Sequence, residues 1–190
     1  HIALKVLGCK NGNEVIAPSL TFVATINAII YNNCSPVFMD SDNYYNIDEE
    51  KTLNFLKKNT YFKNGKTINR KTQKIVAAII IVHVWGNAAK FDKLLKYCKE
   101  KNIKIVEDAS ESLGTKYKQG PFKGFHTGII GDIGCFSFNT NKIITCGSGG
   151  MLVTNIKNYY EQAFYLSTQA KDNALFYVHN KTGYNYRLNN

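Results

Sequence analysis

The chain has 190 residues, of which 44% are hydrophobic, so it suits one globular domain with a sizeable core and not a disordered or fibrous protein. Its formal net charge of +10 permits an anionic partner, but the lysines are spread along the chain together with Asn and Ile, and no nucleic-acid-binding motif accompanies them. The longest apolar run, residues 75–86, is too short to span a bilayer and contains His83. We therefore expect neither nucleic acid nor a membrane as a partner.

In chain order, the sequence predicts strands alternating with helices. The expected elements are a helix at 2–8, a strand at 14–19, a helix at 21–33 with Thr21 as cap, a strand at 36–40, a helix at 48–59, a strand at 74–84, a helix at 90–102, strands at 103–109, 133–138 and 149–154, and a helix at 158–168. Because several strands are apolar throughout and are joined through helices, we expect an α/β fold with three layers, helices covering both faces of a mainly parallel sheet.

Residues 61–74 interrupt this alternation. The segment is basic and rich in turn residues, and Asn64-Gly65 is a hairpin signal. We expect an insertion outside the core, which is either a solvated excursion or a positive rim beside an anionic substrate.

The cysteines indicate a reducing compartment. Their number is odd and no pair has the CxxC spacing of a metal or redox site; they are Cys9, Cys34, Cys98, Cys135 and Cys146. Most have apolar neighbours in sequence, and no signal peptide is visible. Reduced core thiols in a cytoplasmic protein are therefore the expectation, without a disulfide framework or a metal site.

Two residues carry chemistry that a parallel sheet would bring to one edge. Asp108 ends a buried strand, and Lys142 follows a later strand, just before the glycines of "CGSGG". Ligands of such sheets gather at the carboxyl ends of the strands. Asp108 could simply cap a turn, and Lys142 could be solvated surface. If a cofactor lay between them, Asp108 would hold a ring nitrogen protonated and Lys142 would bond a carbonyl carbon, which are the demands of pyridoxal phosphate.

Three stretches carry a resemblance to a known family. "EDASESLGT" (107–115), "GDIGCFSFNTNKIITCGSGGMLVT" (131–154) and "GYNYR" (183–187) are similar to the DegT-type sugar-nucleotide aminotransferases. The resemblance covers the chain in order and implies the type I fold of pyridoxal-phosphate enzymes. It also implies that residues 1–190 are the cofactor-binding large domain, incomplete at both ends, with a small C-terminal domain absent.

The resemblance assigns a role to six residues. Lys142 resembles the lysine that bonds to the cofactor, and Asp108 resembles the partner of the pyridine nitrogen. Phe22 resembles the aromatic residue stacked on the ring, Glu111 the polar residue beside the ring oxygen, and Ser137 a phosphate ligand. Asn185 resembles a residue lent to the neighbouring subunit's cofactor phosphate, which implies a homodimer with shared sites.

The function implied is transfer of an amino group from an amino acid such as glutamate to a nucleotide-linked keto-sugar. The members most similar to this chain aminate C4 of a UDP-linked 4-keto-6-deoxy-N-acetylhexosamine. Two alternatives remain: amination at C3 of a dTDP-keto-sugar, and a non-catalytic binding module of the same fold. A basic nucleic-acid binder is a third class, with strongly salt-dependent affinity as its signature.

Overall fold

A computed structural model describes residues 1–173 and 175–188 of the chain. The strands are β1 (Glu14–Pro18), β2 (Ser35–Met39), β3 (Thr60–Lys63), β4 (Lys66–Asn69), β5 (Val76–Val82), β6 (Lys104–Asp108), β7 (Ile133–Ser137) and β8 (Gly150–Val153). The helices are α1 (Ile2–Val6), α2 (Val23–Tyr31), α3 (Glu49–Asn59), α4 (Asp92–Glu100) and α5 (Lys157–Ser167).

Six strands form one sheet in the order β2-β1-β5-β6-β7-β8. All neighbours in it are parallel except β7 and β8, which pair antiparallel at one edge. The mainly parallel α/β sheet predicted from the sequence is confirmed. Its parallel strands end on the same side, so the residues that follow β1, β5, β6 and β7 are brought together.

The core lies on both faces of this sheet. One apolar cluster packs α1, α2 and α5 against one face, and a second packs α3 and α4 against the other. The central strand β5 is buried along nearly its whole length, which explains why its sequence is an unbroken apolar run and not an alternating one. The three-layer arrangement therefore follows from the strands with two apolar faces.

The start of α2 differs from its prediction. Phe22, and not Thr21, is the residue before the first turn, and no side chain caps this helix. The Thr21 hydroxyl lies 2.9 Å from the Thr25 hydroxyl, one helical turn further on. At the beginning of α3, by contrast, the Asp48 carboxylate accepts the N–H of Lys51 and caps the helix.

The basic insertion forms the predicted hairpin, with β3 and β4 joined at Asn64-Gly65. It lies at the amino ends of the sheet strands. Asn69 donates to the carboxylate of Glu14, which begins β1, and the Ile68 and Ile75 backbones bridge just before β5. Since the cofactor-site candidates follow the carboxyl ends, the expectation of a positive rim beside them is not met within this chain.

The cysteines are free thiols. Cys9, Cys34 and Cys98 are buried, Cys135 is half-buried and Cys146 is exposed. Burial raises the pKa of Cys9, Cys98 and Cys135 to about 12, so these thiols stay protonated and unreactive near neutral pH. Across residues 1–173 and 175–188, none of the helices has the length and apolar character needed to cross a membrane.

Candidate active site

A cleft of about 530 Å³ opens at the carboxyl edge of the sheet. Its walls come from the residues that follow β1, β5, β6 and β7 and from the first turn of α2. Five of the six residues singled out in the sequence line it: Phe22, Asp108, Glu111, Ser137 and Lys142. The strand order thus gathers groups that are up to 120 residues apart in the chain.

Asp108 is held at the end of β6 by two donors. The Thr25 hydroxyl donates to its Oδ2 at 2.7 Å, and the backbone N–H of Ser110 donates to Oδ1 at 3.1 Å. Thr25 is itself within hydrogen-bond distance of Thr21. The carboxylate is therefore fixed in orientation, as a group that must meet one particular atom of a ligand should be.

Lys142 lies across the cleft in the turn that follows β7. Its Nζ is 3.6 Å from Oε1 of Glu111, and its side chain is 16% exposed. The other carboxylate oxygen of Glu111 accepts the backbone N–H of Trp85 at 3.0 Å. Lys142 also donates its own backbone N–H to the carbonyl of Asn139, which closes the turn. The amine is thus held at the cleft wall by a carboxylate that is itself anchored.

Phe22 and Ser137 supply an aromatic face and a hydroxyl. The Phe22 side chain is 77% exposed although it is large and apolar. An aromatic ring presented openly in a cleft is typical of a stacking surface. Ser137 ends β7, and its hydroxyl accepts the backbone N–H of Asn139 at 3.4 Å.

Asn185 lies apart from the cleft. Its backbone forms an isolated antiparallel bridge with Thr168, just after α5, and its side chain is exposed. The structure of one chain therefore does not bring Asn185 together with the other five residues.

Thr25 and Trp85 belong to this cleft but were not among the six residues singled out in the sequence. Thr25 could have been found, because it lies four residues after Thr21, a spacing of one helical turn. Trp85 is apolar, but it lies in the stretch that follows the strand predicted at 74–84, where ligands of a parallel sheet gather. Its backbone is left-handed, with φ of 52°, and its exposed indole meets the Tyr45 ring at 5.0 Å. A non-glycine residue in this conformation is often found at a functional site.

A buried hydrogen-bond network around a carboxylate underlies the cleft. His83 and Glu107 are fully buried, and Nε2 of His83 lies 2.9 Å from the Glu107 carboxylate. The N–H of Ala89 donates to Nδ1 of His83, so the ring is the neutral tautomer that carries its proton on Nε2. Backbone N–H groups of Gly128, Ile130 and Gly131 also donate to Glu107.

This network keeps Glu107 ionised. Burial alone would raise its pKa, but the hydrogen bonds from His83, Gly131 and Gly128 outweigh burial and lower it. Glu107 directly precedes Asp108, and His83 directly precedes Val84 and Trp85 in the cleft wall. The pair therefore fixes the backbone from which the cleft residues project.

We predict that Glu107→Gln destabilises the protein by about 2–6 kcal/mol, because the amide NH2 would leave two buried N–H donors without an acceptor, at about 1–3 kcal/mol each. Since the folded-state pKa is lowered, the carboxylate's contribution is present above the ordinary glutamate pKa and is lost as the pH falls through the folded value. Denaturant unfolding of both proteins from neutral to acidic pH should show the difference shrinking. The exposed control Glu100→Gln should change stability by less than about 0.5 kcal/mol, and an equal effect of both variants would contradict the prediction.

The cleft groups define a class of site. A fixed carboxylate, a primary amine and an open aromatic ring, with a hydroxyl nearby, suit a planar cofactor that has a basic ring nitrogen and a reactive carbonyl. Pyridoxal phosphate has these features, and the groups present fit it: Asp108 toward the ring nitrogen, Lys142 toward the carbonyl, Phe22 against the ring, and Ser137 toward the phosphate.

The chain belongs to the DegT/DnrJ/EryC1/StrS aminotransferase family, whose pattern matches residues 1–190. It is 40% identical over 190 residues to EpsN of Bacillus subtilis, which is named as a pyridoxal phosphate-dependent aminotransferase, and 37% identical to the GDP-perosamine synthase of Escherichia coli O157:H7. All of this chain aligns with each, but it spans only 45% and 47% of their lengths. The family resemblance seen in the sequence is confirmed, and so is pyridoxal phosphate as the family's cofactor.

Solved structures agree with the fold. An aminotransferase of this family from Brucella abortus is 26% identical and superposes with a TM-score of 0.83, over 98% of this chain and 47% of that one. A 3-amino-5-hydroxybenzoic acid synthase is 27% identical with a TM-score of 0.80, over 98% of this chain and 44% of that one.

Proposed function

We propose that the whole protein transfers an amino group from an amino acid, such as glutamate, to the keto group of a nucleotide-linked sugar. The observation that carries the proposal is that Lys142 and Asp108 both line one cleft at the carboxyl edge of the sheet. The names of the relatives support it, because EpsN is called an aminotransferase and several others are called GDP-perosamine synthases.

Each residue of the cleft has a distinct task in this reaction. Pyridoxal phosphate, when bound, supplies the electron sink that allows a C–H bond beside an amino group to break. The Lys142 amine takes the proton from the donor's α-carbon and delivers it to the carbon that receives it. Asp108 keeps the ring nitrogen protonated, and Thr25 keeps Asp108 in position.

Three other side chains hold the ligands. Phe22 packs on the ring face, Ser137 donates its hydroxyl to the phosphate, and Glu111 faces the ring oxygen while it orients Lys142. We further propose that Asn185 serves the cofactor phosphate of a second subunit, since its side chain is exposed and lies away from its own cleft. That arrangement requires a homodimer. The buried free thiols support a cytoplasmic location.

The sugar is proposed to be a UDP-linked 4-keto-6-deoxy-N-acetylhexosamine, and the product would feed a cell-surface glycan. The presence of GDP in the names of several relatives makes a GDP-linked keto-sugar the main competitor. The whole protein should therefore be assayed with glutamate and a panel of UDP-, dTDP- and GDP-linked 4-keto and 3-keto sugars.

We expect an amino-sugar product by mass spectrometry with one nucleotide class strongly preferred, and none with Lys142→Ala. Pyridoxal phosphate bound without any amino transfer, across the panel and several donors, would contradict the proposal and favour a non-catalytic binding module. Amino transfer with only a GDP- or dTDP-linked sugar would overturn the UDP assignment and leave the reaction type in place.

A further inference from the structure

The net positive charge is concentrated in one segment. Residues 57–74 contain seven basic residues and no carboxylate, so this segment accounts for seven of the ten net positive charges of the chain. The basic residues are Lys57, Lys58, Lys63, Lys66, Arg70, Lys71 and Lys74. The charge is therefore a local feature and not the even lysine bias that composition suggested.

The fold displays these charges on one end of the molecule. All seven side chains belong to exposed residues, and the segment comprises the end of α3, the β3–β4 hairpin and the turn before β5. We call this surface the basic end. It is anchored at the start of the sheet strands: Thr67 donates to the carbonyl of Lys101 before β6, and Lys74 donates to the hydroxyl of Ser35 in β2.

The basic end has little internal neutralisation. Among the ion pairs of the described residues, none involves any of its seven cations. The carboxylate that contacts the hairpin, Glu14, is buried and accepts from the Asn69 amide. Glu100, at the end of α4, is an exposed carboxylate on a neighbouring element. A surface with this excess of positive charge attracts an anionic partner.

The aromatic residues of the hairpin favour lipid headgroups over nucleic acid as the anionic partner. Single-stranded nucleic acid is usually held by bases stacked on open aromatic faces. Here Arg70 lies over the Tyr61 ring, 5.5 Å from its centroid, and Lys101 lies over the Phe62 ring at 5.4 Å. Each cation covers one face of its ring and so leaves less aromatic surface for bases to stack on, while Phe62 remains 44% exposed. Basic side chains around a partly exposed phenyl ring suit an interface of anionic headgroups and acyl chains.

In contrast to the expectation from composition that no membrane is a partner, we propose that the basic end, residues 57–74, docks the protein reversibly on a membrane surface rich in anionic lipid. The cleft is at the other end of the sheet, separated by the seven residues of β5, which span roughly 20 Å. Docking therefore leaves the cleft facing away from the membrane and open to substrate. This inference does not depend on the proposed reaction.

The test is co-sedimentation of the whole protein with vesicles of phosphatidylcholine, alone or mixed with phosphatidylglycerol. We expect binding only to the anionic vesicles, and weaker binding as salt is raised. The test variant replaces four cations of the basic end: Lys63→Gln, Lys66→Gln, Arg70→Gln and Lys71→Gln. The matched control removes the same charge from exposed sites elsewhere: Lys90→Gln, Lys116→Gln, Lys118→Gln and Lys123→Gln.

Each basic residue at an anionic surface strengthens binding about fivefold, so the test variant should bind at least tenfold more weakly and the control nearly as well as the wild type. Circular dichroism and thermal unfolding should be unchanged in both variants, because the altered side chains are exposed. Equal losses in the two variants would overturn the proposal, as would failure of the wild type to bind anionic vesicles. Tighter binding to RNA or duplex DNA than to the vesicles, at physiological salt, would assign the surface to nucleic acid instead.

Discussion

Replacement of Lys142 by alanine should reduce amino transfer by about 10⁴-fold or more. The amine is the only lysine on the cleft wall among the described residues, and the variant loses both its bond to the cofactor and its proton transfer. Pyridoxal phosphate should still enter the cleft, because Asp108, Phe22 and Ser137 remain. The measurement is a single-turnover reaction with glutamate, followed by the cofactor's absorbance and by product analysis.

Two further variants separate the amine's chemistry from its charge. Lys142→Arg keeps a positive charge beside Glu111 but cannot give up its proton near neutral pH, so it should be as inactive as the alanine variant. Lys157→Ala removes an exposed lysine from α5 and should be fully active. Addition of a small primary amine should partly restore proton transfer in Lys142→Ala. An arginine variant with near wild-type turnover would show that Lys142 acts only through its charge.

The sequence was sufficient for the fold because the strands that determine it are chemically distinctive. The run from Val76 to Val82 has no polar residue, so it can be stable only between two apolar layers, and the intervening amphipathic helices supply them. The positions of Asp108 and Lys142 at the sheet edge could be predicted because Asp108 ends β6 and Lys142 follows β7, while their roles came from the family resemblance and stay predictions. The parallel order then brings those ends together.

Contacts between distant parts of the chain limited the prediction elsewhere. Thr21 is a residue type that often caps helices, but its hydroxyl contacts the Thr25 hydroxyl. Thr25 in turn donates to the carboxylate of Asp108, which lies 83 residues further along the chain. Local patterns cannot reveal such a pairing. The basic hairpin is likewise anchored by distant contacts that local patterns do not show, such as those of Asn69 with Glu14 and of Thr67 with Lys101.

Replacement of Asp108 by asparagine should lower the rate of amino transfer by about 10²–10³-fold, the typical loss when one preorganised charge interaction is removed from a reacting centre. The amide has nearly the same shape and can still accept the Ser110 N–H, while the Thr25 hydroxyl can rotate to become an acceptor. The fold should therefore persist. What is lost is the negative charge that we propose keeps the ring nitrogen protonated.

The decisive comparison is between cofactor affinity and rate. Asp108→Asn should bind pyridoxal phosphate within about tenfold of the wild type, since the aromatic, hydroxyl and lysine contacts remain, whereas the half-reaction with glutamate becomes much slower. Thr25→Val, which removes the donor to Oδ2 but leaves the charge, should give a smaller loss in the same half-reaction. If Asp108 were only a turn residue that accepts the Ser110 N–H, the order would reverse. Asparagine would then be nearly as active as aspartate, and the half-reaction of the valine variant would fall at least as far as that of Asp108→Asn.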